Sequence, residues 1–188
     1  MQPEIPEPWK AFLHEVDKHL DREVNLHCYG GFVIAICYGF ERPTADVDFL
    51  AVSPSDAIQL LLSVGGKESA LKKKYGLYLD YFAAVDYPDE YDLRLTEMFP
   101  GSFRHLRLWA LDPYDLALSK LSRNLPRDRE DVRYLARSVP LDLSVLRSRY
   151  QKEMRPYLGN AAREDLTLQL WIDDIEELRE NSKRPENK

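Results

Sequence analysis

The stretch Gly30-Gly31-Phe32-Val33-Ile34-Ala35-Ile36-Cys37-Tyr38-Gly39-Phe40-Glu41-Arg42-Pro43-Thr44-Ala45-Asp46-Val47-Asp48-Phe49-Leu50 decides the fold. It joins a glycine pair, an apolar run of helical length, an Arg-x-Thr turn and two carboxylates one residue apart. From Asp46 to Val52 the chain is β-branched and apolar enough to read as a strand, and Ser53-Pro54 stops it. Side chains alternate across a strand, so Asp46 and Asp48 share one face while Val47 and Phe49 share the other. Two residues span roughly 6.6 Å, short enough for both carboxylates to lean onto one cation or a close pair of cations. Leu50 and Val52 continue the aspartate face, so the two acids are expected at the rim of a core rather than along a wet face. Neighbouring carboxylates repel, and a cation is the simplest relief. A strand leaving a solvated loop is the plainer reading of Asp-x-Asp taken alone.

Upstream, residues 25–29 read as a short strand, and Gly30-Gly31 as a turn into a helix over about Phe32–Tyr38. Glycine lets the backbone come close to a ligand. A helix N-terminus offers free N–H groups and partial positive charge, which suit phosphate. The helix is apolar nearly all round, which predicts burial. Arg42 could hold a phosphate oxygen through its planar fork, or could answer Glu41 or Asp46; Thr44 stands beside it in the approach to the strand.

These residues resemble the nucleotidyltransferase superfamily, whose pattern is a strand, Gly-Gly or Gly-Ser, a helix, a loop, and Asp-x-Asp on the next strand. The longer Gly-Gly…Arg-x-Thr-x-Asp-x-Asp form is similar to the abortive-infection toxin branch of bacterial toxin–antitoxin systems and to related uncharacterised bacterial proteins. A second block, Leu111–Asn124 followed by Arg127-Asp128-Arg129-Glu130-Asp131, resembles the segment where that branch places a lysine and then a helical Arg-Asp-x-x-Asp. The resemblance implies a small mixed α/β sheet flanked by helices, with a helical C-terminal subdomain. It also implies an NTP substrate and Mg²⁺ or Mn²⁺ held by Asp46 and Asp48. Gly30, Gly31, Arg42 and Thr44 would then seat the nucleotide, Lys120 would neutralise the triphosphate, and Arg123 would lie nearby. A third carboxylate belongs on a later strand. Asp80, inside residues 77–85, is the candidate. Facing the Asp46/Asp48 edge, it would be a general base or a shared metal ligand; facing away, it would pair with a residue such as Arg94. The acceptor could be the end of a tRNA, with a protein hydroxyl or a small molecule as other options, and the resemblance implies an antitoxin partner. A catalytically silent binding module on the same fold is the rival reading.

Other segments admit plainer roles. Asp112-Pro113-Tyr114-Asp115 opens a helix with Leu116, Ala117, Leu121 and Leu125 as its apolar stripe, and Lys120 and Arg123 on neighbouring faces. Asp128 and Asp131 fit an N-terminal cap for a helix over Asp131–Arg137 as well as they fit chemistry. Basic residues at 72–74, 104–107, 127, 129 and 133 form either a rim for an acidic substrate or scattered surface charge.

With 188 residues the chain has room for one good core. Residues 1–110 are expected to form the α/β part, 111–180 a helical subdomain packed on it, and 181–188 a frayed tail. The nucleotide is expected in the cleft between the two parts. Along residues 24–110 strand and helix signals alternate, Pro88–Phe99 reading as loop plus a helical piece. Beyond Pro113, Leu143, Leu146, Tyr150, Met154 and Tyr157 make one stripe, and Leu166, Leu170, Trp171, Ile175 and Leu178 another. A net charge of −6 argues against a broad nucleic-acid surface, though not against a small basic patch. No run reaches membrane-spanning length and no signal-peptide core is seen. Cys28 and Cys37 lack metal spacing and are expected reduced and packed, which suits a cytoplasmic setting.

Overall fold

The computed structural model describes residues 4–183. They divide into two compact units. One holds the residues up to Val85 together with Tyr91–Asp112, and the other holds Asp86–Glu90 and the residues from Pro113 onward.

The first unit is a mixed sheet with helices. In chain order it contains α1 (Trp9–Lys18), β1 (Val24–Tyr29), α2 (Gly30–Tyr38), β2 (Asp46–Ser53), α3 (Ala57–Gly65), α4 (Ala70–Tyr75), β3 (Tyr78–Tyr81), β4 (Thr96–Met98) and β5 (Leu106–Ala110). The strand order is β3-β2-β1-β5-β4. β2 runs antiparallel to β1 and parallel to β3, and β5 runs parallel to β1 and antiparallel to β4. This is the mixed α/β architecture expected from the alternating signals. β2 is thus an inner strand, and its Val47 and Phe49 are fully buried with Leu26, Leu79 and Leu108.

Simple alternation along β2 holds only for its first four residues. The pairing with β1 slips between His27 and Cys28, which leaves Leu50 as an extra residue on β2. Leu50 is buried directly after Phe49, and Val52 is only half-buried. A bulge of this kind bends the strand and re-aims side chains, and such bulges recur beside functional sites.

α1 is tied to the sheet by a carboxylate. Asp17 accepts hydrogen bonds from the backbone N–H groups of Arg104, His105 and Leu106 at 3.0, 2.8 and 2.8 Å. Burial opposes ionisation there, but the three N–H donors outweigh it and hold the carboxyl below the usual aspartate range.

Several sequence expectations shift. The glycine pair is not a turn ahead of α2 but its first two residues. α2 is buried through Gly30, Phe32, Val33 and Ile34 in its first half, while Cys37 is exposed, contrary to the expected packed thiol. Cys28 is buried, and burial pushes its thiol well above the usual range. β3 is four residues long instead of nine, and β4 lies where loop and helix were expected.

The second unit is helical: α5 (Pro113–Leu118), α6 (Pro126–Ser138), α7 (Leu143–Arg149) and α8 (Ala162–Lys183). α5 stops at Leu118, so Lys120, Leu121 and Arg123 lie in turns, and Leu125 is the residue before α6 instead of part of a stripe. α6 starts one turn before the expected Asp131, with Pro126 in the first position where its missing N–H costs nothing. After α7 the chain continues through a π turn, Tyr150–Met154, and a short 3₁₀ turn, Arg155–Tyr157. That change of pitch keeps Leu146, Tyr150 and Met154 buried but turns Tyr157 out to 68% exposure. On α8 the buried stripe is Leu168, Trp171, Ile172 and Ile175, whereas Leu166 and Leu170 are exposed. The face of Leu166 and Leu170 runs next into Asp173, Asp174 and Glu177, so it cannot continue as a core stripe. α8 reaches Lys183, into the tail expected to fray, and residues 184–188 lie outside those described.

Candidate functional site

The site begins with strand pairing. β2 and β3 run parallel with Asp48 opposite Asp80 and Asp46 opposite Tyr78. Side chains of paired residues emerge on the same face, so Asp80 joins the two β2 acids. One oxygen from each of Asp46, Asp48 and Asp80 lies within 4.8 Å of the others, and all three residues are half-buried. Asp80 therefore faces the Asp46/Asp48 edge, and its partner is Lys67 instead of Arg94, with Lys67 Nζ 2.7 Å from Asp80 Oδ2.

Asp46 is oriented by two hydroxyl donors. Thr44 Oγ1 donates to its Oδ1 at 2.9 Å, and the Tyr78 phenol donates to its Oδ2 at 3.1 Å. Burial and then the Asp46 charge push the Tyr78 phenol above the ordinary tyrosine value, so it keeps its proton at neutral pH.

Asp48 lies against the glycine pair. Gly30 sits at φ +76°, in the left-handed region that favours glycine. A Cβ placed there would be 2.2 Å from Asp48 Oδ2, closer than any real contact. Gly31 is covered in turn by Arg42 Nη2 and Thr44 Oγ1, which lie 3.1 and 3.5 Å from where its Cβ would stand. The acid, the guanidinium and the start of α2 thus meet at one place. Gly30, Gly31, Arg42, Thr44, Asp46, Asp48 and Asp80, named from the sequence, are assembled within one unit.

Lys120 and Arg123 belong to a cluster in the helical unit. Lys120 is 2% exposed, and its Nζ lies 2.8 Å from Asp131 Oδ2 and 3.8 Å from Asp128 Oδ1. Arg123 Nε donates to Asp128 Oδ2 at 2.9 Å, and the Leu125 N–H donates to the same oxygen at 2.9 Å. Burial disfavours the Asp128 charge, but Arg123, the Leu125 N–H and Lys120 together hold its carboxyl below the usual range. The plainer expectation for Lys120, a solvated basic face of a helix, is corrected: it lies in a turn, and its ammonium is buried against two carboxylates. Asp128 does help to cap α6, but from its third position, accepting the Leu125 N–H, and not as the residue ahead of a helix that begins at Asp131.

Sequence reasoning missed Lys67 and Tyr78. Tyr78 carried a usable signal, because it lies two residues before Asp80 and so on the same strand face. Lys67 follows the glycine pair that ends α3, and nothing local ties it to a residue thirteen positions away.

Three carboxylate oxygens at this spacing, with neutral donors behind Asp46, make an oxygen-donor set of the kind that hard divalent cations such as Mg²⁺ and Mn²⁺ take. A mixed sheet that sets such a triad against a helix opened by Gly-Gly has the form of the nucleotidyltransferase fold. The chain matches, over residues 10–179, the model of the family described as nucleotidyltransferases of unknown function (DUF6036), and it belongs to that family. No curated protein and no solved structure matches it. Among the described residues no helix is long and apolar enough to cross a membrane.

Proposed function

We propose that the protein is a metal-dependent nucleotidyltransferase that moves a nucleoside monophosphate from an NTP to an acceptor hydroxyl. The observation that carries this is the convergence of Asp46, Asp48 and Asp80 beside the glycine-opened helix. A silent scaffold has no need to gather three acids at one edge, where they repel one another.

In this reading Asp46, Asp48 and Asp80 hold Mg²⁺ or Mn²⁺, which supplies neutralisation of the triphosphate and of the leaving pyrophosphate. Thr44 and Tyr78 fix the orientation of Asp46 before substrate arrives, so little reorganisation is left for the reaction. Gly30 and Gly31, having no side chains, let Asp48 and Arg42 come against the start of α2, where the helix N-terminus and the guanidinium fork would receive phosphate oxygens. Asp80 receives the proton of the attacking hydroxyl or shares the metal. Lys120 and Arg123 are given a supporting part, holding the start of α6 through Asp128.

The acceptor is proposed by resemblance alone. The Gly-Gly…Arg-x-Thr-x-Asp-x-Asp block and the Leu111–Asp131 block are similar to the toxin branch, which makes a tRNA end the first candidate, an antitoxin the candidate partner and the cytoplasm the setting. The test is incubation with each α-labelled NTP, Mg²⁺ and bulk tRNA or cell lysate, wild type beside Asp46→Ala. Label on an acceptor, lost in the variant, supports the proposal. Nucleotide breakdown without a labelled acceptor points instead to hydrolysis. Absence of both, with no NTP bound, leaves a binding module.

A further inference from the structure

The three carboxylates are not held alike. Asp46 is held by two neutral hydroxyls, which orient it without answering its charge. Asp80 is held by a cation: Lys67 Nζ stands 2.7 Å from its Oδ2. The same ammonium lies over the rings of Tyr78 and Phe82, 5.5 and 5.9 Å from their centroids. Tyr78, Asp80 and Phe82 are alternate residues along one edge, so Lys67 spans the face that carries the third carboxylate.

The end of α3 that leads to Lys67 is packed, while the side chain itself is open to solvent. A Cβ on Gly65 would lie 3.0 Å from Leu79 Cδ1 and 3.2 Å from Val16 Cγ2, so the end of α3 is pressed against β3 and α1. The Lys67 side chain is 55% exposed, whereas that of Asp80 is 16% exposed. A lysine stem has four carbons and several rotamers, and losing one ion pair at a half-wet site costs it little.

Resting on the metal-site reading above, we propose that Lys67 is a built-in counter-cation at the third carboxylate, which competes with the divalent ion for Asp80 and swings aside when that ion binds. Before loading, it relieves the repulsion among the acids and keeps Asp80 in place. After loading, its ammonium is left beside a site filled with phosphate, where a free positive charge is useful. Asp80 would then join the ion only at the expense of the lysine contact.

The test is Mn²⁺ affinity, read by electron paramagnetic resonance of free Mn²⁺ on the full chain. The contact to be given up is one pair of unit charges, and at about 4 Å in water-like surroundings such a pair is worth about fivefold in affinity. Lys67→Met is therefore expected to bind Mn²⁺ about fivefold more tightly than wild type, and Lys67→Arg to restore wild-type affinity. In an Asp80→Asn background the gain from Lys67→Met is expected to fall below twofold, because the carboxylate competed for is gone. Lys67 is exposed, so these variants keep the fold, which circular dichroism checks. Unchanged or weaker Mn²⁺ binding in Lys67→Met overturns the inference and leaves the metal site standing, as does a gain that persists in the Asp80→Asn background. Absence of Mn²⁺ binding by wild type and variants alike overturns both.

Discussion

Gly30→Ala is the perturbation that separates the site from the scaffold. Gly30 has φ +76°, so alanine there carries the left-handed penalty of about 1 kcal/mol. For a chain of this size that shifts the melting temperature by about 2–4 °C. The larger effect is local. The added Cβ would stand 2.2 Å from Asp48 Oδ2, 3.1 Å from its Cγ and 3.2 Å from its Cβ. All three atoms belong to one side chain rooted on β2, so Asp48 must rotate out of the triad. Loss of one of three carboxylate ligands is expected to weaken Mn²⁺ binding at least tenfold, about 1.4 kcal/mol or more. Gly101→Ala is the control: Gly101 has φ +75° and nothing within 4 Å of its missing Cβ. It carries the same backbone penalty and is expected to leave Mn²⁺ binding unchanged. Melting curves and Mn²⁺ titrations of both variants decide the matter. Wild-type Mn²⁺ affinity in Gly30→Ala, or equal losses in the two variants, would refute the placement of Asp48 as a ligand against Gly30.

Other consequences follow from buried carboxylates. Asp17→Ala strands three backbone N–H groups and is expected to lower stability by roughly 3 kcal/mol in urea denaturation, with the sheet's first unit affected most. Because the folded-state carboxyls of Asp17 and Asp128 are held below the usual range, their stabilisation is complete above an unfolded-state value of about 3.9 and fades as pH falls below it. The acid limb of the stability profile should therefore be shallower in Asp17→Asn than in wild type; an unchanged limb contradicts the assignment. Asp128→Asn leaves Lys120 and Arg123 short of a buried counter-charge and is expected to cost about 3–5 kcal/mol, seen as loss of helical signal at lower urea.

The architecture was readable where pattern and position agree. Asp46 and Asp48 on one face followed from strand period, and Asp80 met them once β3 paired in register with β2. Pairing is a long-range fact, so the sequence could state the condition for Asp80 but not resolve it. β4 was hidden because Thr96-Glu97-Met98 is only three residues long and holds a single apolar side chain, too little for a strand alternation to show. The end of α5 was hidden by leucines at 121 and 125, which look helical in spacing, but the first sits in a turn and the second is the extended residue before α6. Asp17 had left a local sign: a carboxylate four residues after Leu13 and one after Val16 stands on the apolar face of α1, where it needs donors. Lys67 had left none, since its partner is set by packing of α3 on β3. Lys120 drew attention through the resemblance, as a charge for the triphosphate, and the fold buries it beside Asp128 and Asp131.

The most direct measurement is anomalous diffraction at the manganese edge from crystals grown with Mn²⁺ and a non-hydrolysable NTP. The account predicts manganese density ligated by Asp46 and Asp48, with Asp80 in the same cluster and the triphosphate running to the start of α2. Manganese bound elsewhere, or a nucleotide seated away from Gly30 and Gly31, would contradict it.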